Sequence, residues 1–411
     1  MKKVLILGST GSIGKSTIEV IEANKKDFLI TGLVARSNEN LLLQQAKKFN
    51  VKNICLTESK KLQEKYISEA DLEDLISSDQ VDIVVAAISG VAGLKNILNA
   101  VRAGKKVLIA NKEPLVAAGQ ILMKEAKRFN AEIIPIDSEH CAIHQCLTNI
   151  EKKDLKRIII TCSGGPFLGK SLKNLKNVSV KDALNHPVWN MGSKNLIDSA
   201  SLMNKALEII EAKWLFNLES EQIDVIIHPQ GIIHSMVETI DNSILAVMSE
   251  PDMKICIAYG LGYPNKIDTS SSPLNFTENN SLEFINIDQM DFPSVNFARD
   301  ALNLGGIFPA VMNAANEVAV EKFVNNEIKF DLIFDTIKHA MDEFKKEELL
   351  NKPSLEQILA ILLSSVATKT LDIPNAFEQV SATHKIISLP FSFTIGFPGN
   401  LDDLYLAGII T

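Results

Sequence analysis

The chain has 411 residues, of which 46% are hydrophobic and 22% charged, with a formal net charge of -8. That length and apolar content support two or three domains around a large core. The acidic balance, with no long basic run, excludes nucleic acid as the expected partner, and no apolar run approaches membrane-spanning length. Five cysteines (Cys55, Cys141, Cys146, Cys162, Cys256) include no CxxC pair, which fits reduced thiols in a cytoplasmic protein.

Val4 to Leu7 reads as a buried strand, an apolar segment too short to be a signal-peptide core. It leads through GSTGSIGKS into helical spacing over Thr17 to Ala23. Strand, glycine turn and helix form a dinucleotide-binding opening, with Gly8, Gly11 and Gly14 letting the backbone approach a pyrophosphate at a helix N-terminus. Gly14-Lys15-Ser16 also resembles the end of a P-loop, but the glycine required five residues before Gly14 is Ser9, so that pattern fails.

The second strand, Leu29 to Ala35, ends in Arg36-Ser37-Asn38. An arginine with small polar groups suits the phosphate of NADP better than the free ribose hydroxyls of NAD, so NADPH is expected; the plain alternative is a solvated loop arginine. Strand and helix alternation continues through Val81 to Ile88, a Gly90 to Gly93 turn, a helix to Arg102, and Lys106 to Ala110. This predicts a parallel sheet with crossover helices, and Asn111-Lys112-Glu113 closes a strand where ligands of such sheets gather.

Asp137 and Glu139 follow the apolar run Ile133 to Ile136. Read as an extended segment, their spacing of two puts both carboxylates on one face, a pair suited to a hard divalent cation. Alternatively, Asp137 or Ser138 caps the following helix with Glu139 in its first turn. His140 and His144 stand four apart, but EHxxxH is not the HExxH of a zinc protease, so they are expected to be packed polar residues.

After the strand Ile158 to Thr161, Cys162-Ser163-Gly164-Gly165-Pro166 offers an anion nest. The segment ending in His186-Pro187-Val188-Trp189-Asn190-Met191-Gly192 suggests a lid. Ser199 to Phe216 is expected to be one long helix with Asp198 or Ser199 near its N-cap. It would carry Asn204, Lys205 and Glu208 together, and Glu208 would complete an open three-carboxylate site. Strands at Ile223 to Ile227, Ile233 to Thr239 and Ile244 to Met248 are expected to build a second sheet, with a helix opening at Glu250-Pro251-Asp252. Tyr263 to Asp291 reads as a surface linker. Helical periodicity returns over Val295 to Leu304, Pro309 to Val324, Asp331 to Phe344 and Ser354 to Val366. Asn313 to Glu317 (NAANE) suggests packing or a rim contact only.

The motifs GSTGSIG, ANKE, PIDSEH, SGGPF, HPVWNMG, DSASLMNKALE, IEAKWLF, HPQ, IHSMV, EPDM and MNAANE occur in that order. Together they closely resemble the 1-deoxy-D-xylulose 5-phosphate reductoisomerase family from about Met1 to Leu362; the tail beyond does not. The resemblance implies an α/β enzyme with an N-terminal Rossmann-type NADPH domain (1–150), an α+β catalytic domain (151–262), a linker (263–291), a C-terminal helical domain (292–366) and an atypical tail (367–411). It implies a homodimer that rearranges the ketose phosphate and reduces the product with NADPH, to give 2-C-methyl-D-erythritol 4-phosphate.

By that resemblance Asp137, Glu139 and Glu208 would hold Mg²⁺ or Mn²⁺. Ser163, Ser199, Asn204 and Lys205 would bind phosphate. Ser138, Lys112 and His186 would touch the substrate, the last two as catalytic groups beside the acids. Trp189, Met191 and Gly192 would form the lid. Gly8, Thr10, Gly11, Ser12, Ile13, Arg36, Ser37, Asn38, Asn111, Lys112 and Glu113 would contact the cofactor. Cys141, His144, Ala206 and Gly231 depart from the family pattern near the site. Two other readings remain open: a metal-independent NADP-dependent dehydrogenase with Cys141 or Cys162 as nucleophile, and a nucleotide-binding module without turnover.

Overall fold

A computed structural model describes residues 1–58, 66–189, 191–278, 281–287, 292–345 and 352–367. The tail expected from residue 367 lies outside these residues apart from its first position.

The first third alternates as expected. It runs β1 (Lys2–Leu7), α1 (Ser12–Ala23), β2 (Phe28–Ala35), α2 (Glu39–Phe49), β3 (Asn53–Leu56), α3 (Glu69–Ser77), β4 (Ile83–Ala86), α4 (Leu94–Arg102), β5 (Lys106–Ile109), α5 (Glu113–Phe129), β6 (Glu132–Pro135) and α6 (Ser138–Leu147). The strands form one six-stranded sheet in the order β3-β2-β1-β4-β5-β6, with every pairing parallel. This is the doubly wound order whose direction reverses beside β1, so the loops after β1 and β4 open a crevice at the carboxyl edge. Val4, Leu5, Ile6 and Leu7 are all fully buried, which is why they read as an unbroken apolar run: helices cover both faces.

The middle third contributes β7 (Leu155–Cys162), a short α7 (Val180–Ala183), α8 (Ser193–Ala200), α9 (Met203–Phe216), β8 (Ile223–Ile227), β9 (Ile233–Thr239), β10 (Ile244–Met248) and α10 (Met253–Gly262). With β11 (Ile285–Asn286) the strands make a second, mixed sheet ordered β10-β9-β7-β8-β11. The remaining helices are α11 (Ser294–Leu304), α12 (Phe308–Val324), α13 (Leu332–Phe344) and α14 (Leu355–Ala367).

Three expectations need correction. Ser199 to Phe216 is two helices, because Leu202 takes a left-handed conformation (φ 57°, ψ 9°) between them. A non-glycine residue there costs on the order of 1–2 kcal/mol, and it turns the chain so that α9 aims Asn204, Lys205 and Glu208 at α6. Asp198 therefore lies inside α8 rather than at a cap. Pro251 precedes α10, whose N-cap is Asp252, accepting from the Lys254 amide at 2.9 Å.

α5 and α9 cross tightly, with the non-helical Ala118 (φ -132°, ψ 22°) marking a kink in α5. At the next residue a Cβ would lie 2.3 Å from Trp214 Cδ1 and 2.5 Å from its Cγ. Gly119→Ala is therefore expected to destabilise the fold by about 1–3 kcal/mol through overpacking, seen as a lower urea midpoint with unchanged slope. An unchanged midpoint would show that Trp214 is free to swing aside.

Candidate active site

The glycine turn after β1 is built for close approach. Gly8 has φ +90°, and a Cβ there would meet the Ala87 carbonyl oxygen at 2.4 Å. At Gly14 a Cβ would meet the Gly8 oxygen at 2.3 Å, so α1 can pack onto the turn only without a side chain. Gly11 caps α1 without a side-chain hydrogen bond, and the first turn holds no acid. The N-terminal amides of α1 are thus unclaimed by side chains and suit an anion, with Thr10, Ser12 and Ile13 around them. This fits the pyrophosphate of a dinucleotide.

At the end of β2, Asn38 caps α2 by accepting from the Leu41 amide at 3.2 Å, and Ser37 precedes it. Arg36 is highly exposed and paired with Glu58 at 2.6 Å. The arginine sits at the expected edge, but it already has an anion, a partner 22 residues away that the sequence did not announce. Asn111 donates to the Gly90 carbonyl at 2.9 Å, joining the ends of β4 and β5.

The next group comes from α5, α6 and α9. Asp137 is the N-cap of α6, accepting from the Ser138 amide at 3.0 Å. The extended-segment argument therefore fails, and the capping alternative describes the backbone. The first turn nevertheless keeps both acids on the cluster. Ligand oxygens of Asp137, Glu139 and Glu208 lie within 4.8 Å of one another. Lys112, just before α5, places Nζ 2.7 Å from Asp137 Oδ2, 3.1 Å from Glu208 Oε1 and 2.7 Å from Asn204 Oδ1. Lys205 Nζ bridges Glu139 and Glu208, the latter at 2.5 Å. Asn204 also donates to Glu208, and Ser138 Oγ donates to Glu139 at 2.5 Å.

Glu208 is fully buried, and Lys205 nearly so. Burial and then the charge of Glu139 raise the Glu208 pKa. Burial pushes Asp137 and Glu139 the same way, but Lys112 and Lys205 respectively outweigh it and hold both below the ordinary range. Three carboxylates facing two ammonium groups form an all-oxygen donor set suited to a hard divalent cation.

Behind this cluster lies a pair that sequence reasoning missed. His140 Nε2–H donates to the Glu208 carbonyl at 3.0 Å, and its Nδ1 is 3.2 Å from Glu211 Oε2 and 3.8 Å from Asp137 Oδ2. Burial raises the Glu211 pKa to about 8. For His140, burial works against the charged form, but Glu211 and Asp137 raise its pKa to about 9. His140 thus ties α6 to the backbone of α9. The signal available in sequence was the stripe Asn204, Glu208, Glu211 at helical spacing. His144 is packed as expected, bonded to Tyr259 Oη at 2.6 Å.

A third group surrounds Ser163. Gly164 and Gly165 both have positive φ, and a Cβ on Gly165 would lie 2.8 Å from the Ser199 carbonyl oxygen, so the nest lies directly on α8. Ser163 Oγ is 3.1 Å from His186 Nε2. His186 Nδ1 accepts from the amides of Val188 at 3.2 Å and Trp189 at 2.9 Å. Amides can only donate, so the neutral ring carries its proton on Nε2. The histidine thus holds the backbone at Val188 and Trp189 on one side and presents a donor on the other. The Trp189 ring lies 6.2 Å from His234; Met191 follows, and Gly192 caps α8. Asn190 lies outside the described residues.

Burial, reinforced by Lys205, lowers the His186 pKa from 6.5 to about 4. As pH falls the unfolded chain binds this proton first, so the neutral ring's contribution to stability is present above pH 6.5 and lost between 6.5 and 4. Nitrogen-15 NMR is expected to show an Nε2-protonated neutral ring at about pH 6; an imidazolium signal there would contradict the geometry.

A cysteine nucleophile finds no support. Burial raises the Cys162 pKa to about 11, so the thiolate is scarce at neutral pH. Cys141 is fully buried within the apolar cluster of the first sheet.

Comparison with known proteins gives concordant results. The profile of 1-deoxy-D-xylulose 5-phosphate reductoisomerase matches residues 4–119, and those of its C-terminal domains match residues 133–216 and 248–365. The reductoisomerase of Geobacter metallireducens is 46% identical over 371 residues, covering 88% of this chain and 96% of that protein. That of Thermodesulfovibrio yellowstonii is 44% identical over 368 residues, covering 87% and 96%. The Zymomonas mobilis enzyme solved with NADPH superposes with a TM-score of 0.81 at 36% identity, covering 94% of this chain and all of that one. A reductoisomerase solved with NADPH, fosmidomycin and magnesium gives 0.83 at 37% identity, covering 94% and 99%.

Proposed function

The chain belongs to the 1-deoxy-D-xylulose 5-phosphate reductoisomerase family, and on that premise we propose that it converts 1-deoxy-D-xylulose 5-phosphate to 2-C-methyl-D-erythritol 4-phosphate with NADPH and Mg²⁺ or Mn²⁺. The observation that carries this reading is the cluster of Asp137, Glu139 and Glu208 at the carboxyl edge of the parallel sheet, held by Lys112 and Lys205.

In this reading the three acids hold the divalent ion. Bound there, the ion supplies Lewis-acid polarisation of the substrate's adjacent carbonyl and hydroxyl oxygens, which eases carbon–carbon rearrangement. NADPH, seated on Gly8 to Ile13 with Arg36, Ser37, Asn38, Asn111 and Glu113 at its rim, supplies the hydride. Ser163, Ser199, Asn204, Lys205 and the His186 Nε2–H bind the phosphate, which positions the reacting end from a distance. Ser138 and Lys112 orient the substrate oxygens. Trp189, Met191 and Gly192 close over it and exclude water.

The domain limits 1–150, 151–262, 263–291 and 292–366 belong to the same reading, as does a cytoplasmic location, for which the reduced thiols speak. Among the described residues no helix is long and apolar enough to cross a membrane. Homodimer formation is supported by the edge strand β10, where the adjacent Ile244 and Leu245 are 54% and 40% exposed. An uncovered apolar edge invites pairing with a second copy. Light scattering is expected to give twice the chain mass, and Leu245→Lys to shift it toward the monomer; a monomeric wild type would end this part of the proposal. The activity itself is tested by following NADPH oxidation with the ketose phosphate: turnover is expected only with a divalent ion, and metal-independent turnover would overturn the assignment.

A further inference from the structure

The motif NAANE on α12, whose sequence suggests packing or a rim contact, leads to a second buried polar group distinct from the acidic cluster. Asn316, fully buried, donates to Asp198 Oδ1 at 2.9 Å, a contact spanning 118 residues. The other oxygen of Asp198 lies 2.7 Å from Lys194 Nζ. The same ammonium lies 2.9 Å from Glu113 Oε1. One helical turn along α12, Asn313 donates to Glu317 at 3.1 Å. The Glu317 carboxylate faces Gly90, whose carbonyl accepts from Asn111.

The placement of Lys194 gives this group a consequence for the site. It stands two residues after Gly192, in the first turn of α8, where the lid re-enters the fold. Glu113 opens α5 and directly follows Lys112, the ammonium that holds Asp137 and Glu208. Glu113 is 4% exposed and Asp198 1%. Buried ion pairs of this kind gain little net stability after desolvation, yet they fix one arrangement of the elements they join. Burial opposes ionisation of Glu113, but Lys194 outweighs it and keeps the carboxylate charged.

Resting on the functional reading above, we propose that Lys194 is a positioning residue for the cofactor: it clips the root of the lid to Glu113 and, through Asp198 and Asn316, to α12. The helical C-terminal segment thereby sets the carboxylate that meets NADPH without touching the cofactor itself. Removing the clip frees Glu113 and the lid root, while Asp137, Glu139 and Glu208 keep their own lysines.

The test is a pair of titrations on the full chain: NADPH by fluorescence and Mn²⁺ by electron paramagnetic resonance. Lys194→Gln is expected to weaken NADPH by about tenfold, the scale of one lost charged contact, with Mn²⁺ affinity within about twofold of wild type. Asn316→Ala, which reaches Glu113 only through Asp198 and Lys194, is expected to shift NADPH the same way by a smaller factor, and it carries the test if Lys194→Gln does not fold. Unchanged NADPH affinity in the variant measured, or a parallel loss of Mn²⁺, overturns the inference. A wild-type chain that binds no NADPH overturns the functional reading first, and this inference with it.

Discussion

Glu208→Gln is expected to lower kcat by about three orders of magnitude or more, since Lewis-acid stabilisation is worth several kcal/mol and each 1.4 kcal/mol is about tenfold. The substitution keeps the shape of the side chain and its contact with Asn204 but removes the charge facing both lysines. Two acids then remain for the ion. NADPH affinity should not change, because Gly8 to Ile13 lie on a separate loop. A chelator should silence the wild type, with Mn²⁺ restoring it but not the variant. Turnover by Glu208→Gln within tenfold of wild type would show that the helix acid is no metal ligand.

Lys205→Met is expected to have the second largest effect, this time on stability. Its ammonium bridges Glu139 and Glu208, in a place where Lys205 is 4% and Glu208 0% exposed. Removing one member of a buried pair leaves an uncompensated charge, with a typical cost of about 3–5 kcal/mol. A divalent ion on the same oxygens would offset that cost. Metal-free urea melts should therefore show a severe loss that Mn²⁺ largely repairs, with a larger metal-induced gain in the variant than in wild type. Equal gains in both proteins would mean that ion and ammonium occupy different oxygens.

The parallel sheet was legible because strands buried on both faces are written as continuous apolar runs, as in Val4 to Leu7. The glycine turn was legible because Gly8 and Gly14 sit where backbone leaves no room for a Cβ. The acid pair is legible in the sequence, but through the wrong local geometry: Asp137 and Glu139 converge through a helix cap, not through strand alternation. The break before α9 was hidden because Leu202 is left-handed without being glycine, and apolar periodicity runs on through it. Glu211, Lys194 and Asn316 were not recognised because each acquires its role from partners brought by another element. A lysine two residues beyond a lid motif looks solvated until Glu113 and Asp198 are folded against it.

The two ammonium groups on the acidic cluster bear on the order of ligand binding. An ion held by Glu139 and Glu208 would compete with Lys205 for both, and this ammonium already stands close enough to His186 to lower its proton affinity. That is the side on which the substrate's phosphate is proposed to sit. Cation and anion should therefore act as heterotropic partners: inorganic phosphate should tighten Mn²⁺ by about tenfold, and Mn²⁺ should tighten phosphate by the same factor, because the coupling is reciprocal.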